Sequence, residues 1–402
     1  MTTATSSSQT VSARPRVLGF VVFQLVLLAG AVGWCGYRAR EWDALKQLPP
    51  LRETPLSVAP LYDYPVVVAD DQLKRVLTKL RPRNGGEKTK VNHIDHALRF
   101  WGVPARFADP ACFSGEDLRA VLTDDGRFHK QYGANAKPLL IDYRGGVRVR
   151  TAEGAQSASH VDHTLAGLAE VGTPLDFPLT TSTRQTTYRT LLEQSLRDFS
   201  LNQTEYEWSG MAYALFIPAG TSWRTSEGQQ IDFDRLAERI MRQDVPQGVC
   251  FGNHRLYTLT LFLRIDEEHG PLLRPETREA AITFLADMTT RLVQSQHADG
   301  YWDGDWPGKS IVAAPPEKSS GDAVADRILA TGHALEWWAM VPQSTAEKLH
   351  PPRDVLVRSG QWLVKTIDNL TDEQIESYYT FLSHAGRALS IWRNQLPYEV
   401  SL

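Results

Sequence analysis

His93-Ile-Asp-His96-Ala-Leu98 returns further along the chain as His160-Val-Asp-His163-Thr-Leu165. Looser versions follow as Gly252-Asn-His254-Arg-Leu256, Gly332-His333-Ala-Leu335 and Ser383-His384-Ala-Gly-Arg-Ala-Leu389. Recurrence at intervals of roughly 50–90 residues marks one supersecondary unit used several times, and that decides the fold before local propensity does. Each copy places a histidine at the head of an apolar helical stretch. The pattern predicts that several imidazoles gather at one end of a set of inner helices.

Working outward from these stretches, the chain reads as pairs of helices. An outer helix over about Asp70–Leu80 precedes an inner one over His93–Gly102, which Gly102 and Pro104 stop. The second pair starts at Ser114, a suitable N-cap followed by acids, and its inner member spans Ser159–Gly172. The remaining pairs are Arg184–Ser200 with Glu205–Phe216, Asp232–Gln243 with Cys250–Asp266, Pro275–Gln296 with Asp322–Met340, and Asp354–Asn369 with Asp372–Arg393. Six hairpins is the count that closes an all-α (α/α)6 toroid. Its inner stretches, such as Met211-Ala-Tyr-Ala-Leu-Phe216, are apolar all round, whereas the outer ones carry a charged face. One insertion interrupts the pattern: Lys137–Thr151 alternates around Gly145-Gly146 and predicts a small β-hairpin. A second long loop, Asp303–Gly321, carries three prolines, and loops at such a mouth are where binding tends to sit.

Ahead of the helical pairs the chain changes character. Residues 1–16 are polar and aperiodic and are expected to be a disordered tail. Residues 17–37 hold no charge and are long enough to span a hydrocarbon core of about 30 Å. A cleaved signal peptide is the rival reading, but the apolar run is long and Trp34, Tyr37 and Arg38 make a poor cleavage site. A single-pass membrane anchor is therefore expected. Arg14 and Arg16 before the span, and Arg38, Arg40, Lys46 and Arg52 after it, leave its orientation open. Residues 38–65, with Pro49, Pro50, Pro55, Pro60 and Pro65, read as a stiff juxtamembrane linker, and residues 66–402 as the toroid.

Composition narrows the classes. The 402 residues carry 43 basic and 47 acidic side chains, so a nucleic-acid partner is not expected. Of the three cysteines, Cys35 lies in the apolar span, which leaves Cys112 and Cys250 and excludes a disulfide framework.

The stretch Gln296-His-Ala-Asp-Gly300-Tyr-Trp302-Asp-Gly304-Asp-Trp306 resembles the QxxxGxW motif of squalene-hopene cyclases and the wider terpenoid-cyclase/prenyltransferase toroids. In that superfamily the Gln ties helix ends and the Trp stacks between repeats, so the resemblance implies architecture over about residues 66–402. Activity does not follow from it. The DxDD acid of squalene-type cyclases is missing, since Asp322-Ala-Val-Ala-Asp326 has the wrong spacing; Asp70-Asp71 and Asp124-Asp125 lack the third Asp of DDxxD; and the thioester CGEQ does not occur. Prenyltransferase β-subunits hold zinc through an Asp and a Cys at the start of one inner helix and a His at the start of the next. By that resemblance Cys250 and His333 fall on comparable positions, although Gly248 stands where the Asp would be.

Read from the residues themselves, Cys250 and His254 share a helix face, and with His333 they form a three-ligand zinc set that leaves a fourth position for water. The other candidates for lining a His-rich, aromatic cavity are His96, His163, His384, Asp95, Asp162, Trp302, Asp303 and Asp305. Asp95 and Asp162 sit beside recurrent histidines, where a carboxylate either orients an imidazole or simply complements a helix dipole. Neighbours on a helix point about 100° apart, so each Asp is expected to serve a different partner. Three functions stay open: a cavity that binds a small molecule, as a zinc-dependent enzyme if metal is present; a non-catalytic scaffold docking a protein or polymer; and carbohydrate processing by aromatic platforms with paired acids near Trp302 and Trp306.

Overall fold

The computed structural model describes residues 14–45, 48–310 and 320–402. The expected tail lies almost entirely outside them, as does the middle of the Asp303–Gly321 loop. Two compact units result, residues 1–47 and 48–402. In the first, helix α1 (Arg14–Leu45) contains the apolar stretch Leu18–Tyr37, long and apolar enough to cross a membrane; a signal sequence near an N-terminus has the same character.

The second unit is mostly helical, with three two-stranded antiparallel ribbons among its described residues. Its first helices are α2 (Asp70–Lys79), α3 (Val91–Trp101), α4 (Gly115–Thr123) and α5 (Asp125–Tyr132). After the ribbon of β1 (Leu140–Tyr143) and β2 (Gly146–Val149) comes α6 (His163–Glu170), then β3 (Pro178–Thr180) and β4 (Gln185–Thr187), α7 (Tyr188–Asp198) and α8 (Glu207–Phe216). The ribbon of β5 (Trp223–Arg224) and β6 (Gln230–Ile231) leads to α9 (Phe233–Arg242), α10 (Asn253–His269), α11 (Pro275–Ser295) and α12 (Ala323–Ala339). A single turn, α13 (Ala346–Leu349), precedes α14 (Arg353–Asn369) and α15 (Asp372–Ile391). The hairpin expected over Lys137–Thr151 is β1–β2, with Arg144-Gly145 at its tip. Ser114 and Thr371 cap α4 and α15 as their sequences suggest, each accepting from the backbone N–H three residues on.

Two helix classes separate by burial. Every residue of α8 and every residue from Asn253 to Ile265 in α10 is buried, whereas α2 buries only Leu73, Val76 and Leu77 along one stripe. Among the more deeply buried helices α3 packs on α6, α6 on α8, α8 on α10, α10 on α12, α12 on α15, and α15 back on α3.

Two expectations need correction. The recurrent histidines do not all open their helices: His163 and His254 lie in first turns, but His96, His333 and His384 lie well inside α3, α12 and α15. Helices α12 and α15 run two to three turns beyond the level the histidines share, so what repeats is a packing level rather than a helix start. The second correction concerns residues 48–65, expected to stand off as part of a linker. They lie along the domain, and their backbone reaches carbonyls that helix termini leave without intrahelical partners. Arg52 N donates to Phe216 O (2.8 Å), Leu56 N to Leu215 O (3.0 Å) and Tyr64 N to Trp392 O (2.7 Å). Tyr62 Oη donates to Val341 O at 2.7 Å, and Arg264 Nη2 to Ala59 O at 2.8 Å. The strap thus crosses the C-terminal ends of α8, α10, α12 and α15.

Candidate metal centre

Each of the six mutually packed helices sends one ring into a common level. His96 of α3 stacks on His163 of α6 (ring centroids 4.3 Å apart), and His163 meets Trp208 of α8 at 4.2 Å. Trp208 meets His254 of α10 at 4.2 Å, His254 meets His333 of α12 at 4.5 Å, and His333 meets His384 of α15 at 3.7 Å. His384 returns to His96 at 5.2 Å. Five imidazoles and one indole therefore make an unbroken circuit of contacts, each ring at most 4% exposed. At this level neighbouring rings touch one another all the way round. Trp208 was not singled out from sequence; it stands at the level where the repeat elsewhere places His.

One helical turn further, a charged level supports the first. Arg99 Nε donates to Glu170 Oε2 at 2.5 Å and Arg99 Nη1 to Glu336 Oε1 at 2.7 Å. Arg387 Nη1 reaches the same Glu336 oxygen at 2.6 Å, and Tyr257 Oη donates to Glu170 Oε1 at 2.7 Å. Three of these side chains follow the recurrent histidines by three positions (Arg99, Glu336, Arg387), so a search for i+3 partners of His96, His333 and His384 would have found them. Burial alone would raise the Glu336 carboxyl, but Arg99, His384 and Arg387 hold it well below the usual carboxylate range. Glu170 is held down in the same way by Arg99 and Arg387 against its burial.

Glu336 joins the two levels. Its Oε2 lies 2.9 Å from His384 Nδ1 and 3.3 Å from His333 Nδ1. An ionised carboxylate only accepts, so both imidazoles carry their proton on Nδ1 and turn a lone pair outward on Nε2. Among the described residues the buried Nε2 atoms of His333 and His384 have no hydrogen-bond partner. Burial and neighbouring imidazoles depress the basicity of His254 and His384, and burial that of His333, so these rings stay neutral at pH 7, as metal ligands must be.

The three sequence-derived ligands come together. The ligand atoms of Cys250, His254 and His333 all lie within 4.8 Å of one another, with His254 Nε2 at 3.2 Å from Cys250 Sγ. Zinc–sulfur and zinc–nitrogen bonds of about 2.3 and 2.0 Å at a tetrahedral angle place S and N roughly 3.6 Å apart, so the set fits zinc with small adjustments. A second group, His333, Glu336 and His384, also has its ligand atoms within 4.8 Å of one another. It fits a cation poorly, because Arg99 and Arg387 already occupy the Glu336 carboxylate. It is better understood as the hydrogen-bonded support that fixes the tautomer of His333.

Local backbone brings Cys250 into place. Cys250 (φ +52°), Phe251 (φ +58°) and Gly252 (φ +80°) form three successive left-handed residues just before α10. For two L side chains that conformation costs of order 1 kcal/mol each and persists only where the surroundings enforce it. Arg255 does so, donating to Glu207 Oε1 (2.8 Å) and to Asp244 O (2.5 Å) across the turn. Gly248 is required too: a Cβ there would stand 2.7 Å from Gly252 Cα and 2.9 Å from Arg255 Nε. The aspartate that the prenyltransferase resemblance leads one to expect therefore has no room. Cys250 keeps partial exposure while both histidines are buried.

The remaining candidates divide. Asp95 accepts from His163 Nδ1 (2.7 Å) and Thr164 Oγ1 (2.6 Å), orienting the histidine of the next helix rather than its own neighbour. Asp162 accepts from Ser195 and Ser209 and braces α7 and α8; burial raises its pKa. Trp302 lines no cavity: it is wholly buried, donates to Leu292 O at 2.7 Å and packs on Trp338. Gln296 binds Val355 O and Ser359 Oγ, tying the end of α11 to α14. Asp303 and Asp305 are exposed loop acids, the former paired with Arg327 at 2.7 Å. The aromatic platform for a sugar near Trp302 is thereby lost. Compared with known protein families, with characterised proteins and with solved structures, the chain matches none, so its likeness to terpenoid-cyclase/prenyltransferase toroids rests on the quoted residues alone.

Proposed function

We propose that the unit from Leu48 to Leu402 is an (α/α)6 toroid carried by a single N-terminal membrane helix, and that it is a zinc-dependent enzyme with its metal on Cys250, His254 and His333. The helix neighbours, α3 through α15 and back to α3, are what support the toroid. The observation that carries the metal reading is the approach of the Cys250, His254 and His333 ligand atoms to within 4.8 Å of one another, with Glu336 against His333 Nδ1 and no hydrogen-bond partner for its buried Nε2 among the described residues. Zinc held by three protein ligands with a fourth position open supplies Lewis acidity to a bound water, thiol or carbonyl. The chain's own part is positional. Glu336 keeps His333 in one tautomer, Arg99 and Arg387 keep Glu336 ionised, and the left-handed turn holds the Cys250 sulfur at the partly exposed edge.

Metal analysis of the full chain, purified in detergent without added metal and then loaded, tests this. One zinc per chain is expected, lost in Cys250→Ala and in His333→Ala while the helical circular dichroism is retained. A chain that stays folded and takes up no zinc would sink the enzyme reading. That outcome would favour the second reading, a non-catalytic scaffold, for which the continuous packing of the imidazole level speaks. In it the histidines serve as buried spacers that fix the six helices at one level.

A further inference from the structure

Away from the imidazole level, a cleft of about 330 Å³ opens between the segment joining α2 to α3 and the first turns of α15. Its floor is apolar, made of Ile94, Ala97, Phe113, Leu118, Ile375 and the ring of Tyr379. The volume lies at the lower end of small-molecule sites. Its walls carry opposite charges. On one side stand Arg81 and Arg83, on the other Asp372, Glu373 and Glu376. Arg83 and Asp372 face each other at 3.4 Å and cancel. Lys79 also borders the cleft, but its ammonium is spent on the carbonyls of Ile367, Asp368 and Leu370 at the end of α14. What remains is one half-buried guanidinium, Arg81, whose only hydrogen bond runs from Nε to Thr78 O, opposite two carboxylates, Glu373 and Glu376, with no partner among the described residues.

His93 also lines the cleft. Its ring touches Tyr379 (centroids 6.0 Å apart) and makes no hydrogen bond within the described residues. Burial, with Lys90 nearby, pushes its pKa down to about 4, so at neutral pH the ring is an uncharged donor and acceptor facing the cleft. The site thus presents, over an apolar bed, a positive group on one wall, two negative groups on the other and a neutral imidazole.

We propose that this cleft binds a small zwitterion with a bulky apolar body, the chemistry of an apolar α-amino acid or short peptide. Its ammonium lies against Glu373 and Glu376, its carboxylate against Arg81, and its side chain on Phe113, Ile94 and Ile375. A simple anion meets two uncompensated carboxylates, and a simple cation leaves the half-buried Arg81 without a partner. Only a ligand carrying both charges satisfies both walls.

Calorimetric titration of the full chain in detergent with the dipeptide L-leucyl-L-phenylalanine tests the assignment. The expected result is saturable 1:1 binding, at least tenfold weaker for the N-acetylated dipeptide, for the dipeptide amide, for the Glu373→Gln/Glu376→Gln double variant and for Arg81→Gln. These substituted side chains are exposed or half-exposed, so the variants fold. Binding must survive treatment with a metal chelator, which separates this site from the zinc reading. Absence of heat up to millimolar ligand, equal binding of the acetylated or amidated forms, or unchanged affinity in the double variant overturns the proposal.

Discussion

Replacing Glu336 by Gln changes one oxygen for a nitrogen and almost no volume, yet it removes the charge on which both buried levels converge. In the wild-type chain two guanidiniums and two carboxylates balance, since Arg99 and Arg387 face Glu170 and Glu336. After Glu336→Gln two buried cations share the single charge of Glu170. Breaking a buried pair by removing one partner typically costs 3–5 kcal/mol, and the 1–11% exposure of these side chains places this network in that class. The amide also turns its NH2 toward either the guanidiniums or the two imidazole N–H groups; both orientations oppose donor to donor. Relief comes if His333 and His384 move their proton to Nε2, which removes the lone pair offered to the metal. Guanidinium unfolding of the full chain in detergent, followed by circular dichroism, should therefore show a loss of about 3–5 kcal/mol. Zinc affinity of the folded variant should fall by roughly 10–100-fold. Adding Arg387→Met should recover part of the stability, because it removes the surplus charge, without restoring zinc affinity. A stability change below about 1 kcal/mol would mean that the network is hydrated, and the assignment of ionised, dry charge beneath the imidazoles would be wrong.

Three further outcomes follow. Gly252→Ala puts a Cβ 2.5 Å from the Val245 carbonyl oxygen at φ +80°, so it should abolish zinc uptake through the displaced turn and cost roughly 1–3 kcal/mol, measurable in the same titration. His350 donates from Nε2 to Trp338 O, and burial pushes its pKa from 6.5 down to about 4. The unfolded chain therefore binds a proton first, stability is lost as pH falls from about 6.5 toward 4, and by pH 5 the loss from this residue is about 2 kcal/mol. A His350→Gln variant should show a correspondingly shallower acid limb, and an identical limb in both proteins would refute the attribution. Trp302→Phe removes the shorter side-chain donor to the Leu292 carbonyl, leaving Ser295 Oγ at 3.3 Å, and should cost roughly 0.5–1.5 kcal/mol with zinc content unchanged; lost zinc would place Trp302 in the site after all.

Much of this was legible along the chain because it rests on short-range order. The alternation of wholly apolar and one-faced helices fixes which are buried. Ser114, Thr371 and the Gly102 stop set boundaries within a few residues, and the β1–β2 ribbon announces itself by alternation around a tight turn. Cys250 and His254 lie four residues apart, so their approach is a local matter, although Cys250 stands in the left-handed turn before α10 and not on the shared helix face its spacing suggests; the recurrence of His at five places marks a shared level. Even the separation of Asp95 from His96 follows from helix geometry, since adjacent residues point apart.

What tertiary structure alone decided is which distant groups meet. The recurrence brought His333 into one set with Cys250 and His254, but nothing in α12 shows by itself that Glu336 faces Arg99 and Arg387, because that meeting depends on the axial offset between helices far apart in sequence. The same offset lets Trp208 stand in for a sixth imidazole and sinks Trp302 between α11 and α12. It also lays residues 48–65 along helix ends, where open carbonyls gave a proline-rich segment its hydrogen-bond partners. Sequence periodicity sets the face a side chain takes on its own helix. The depth at which that face meets another is set only when all the helices pack together.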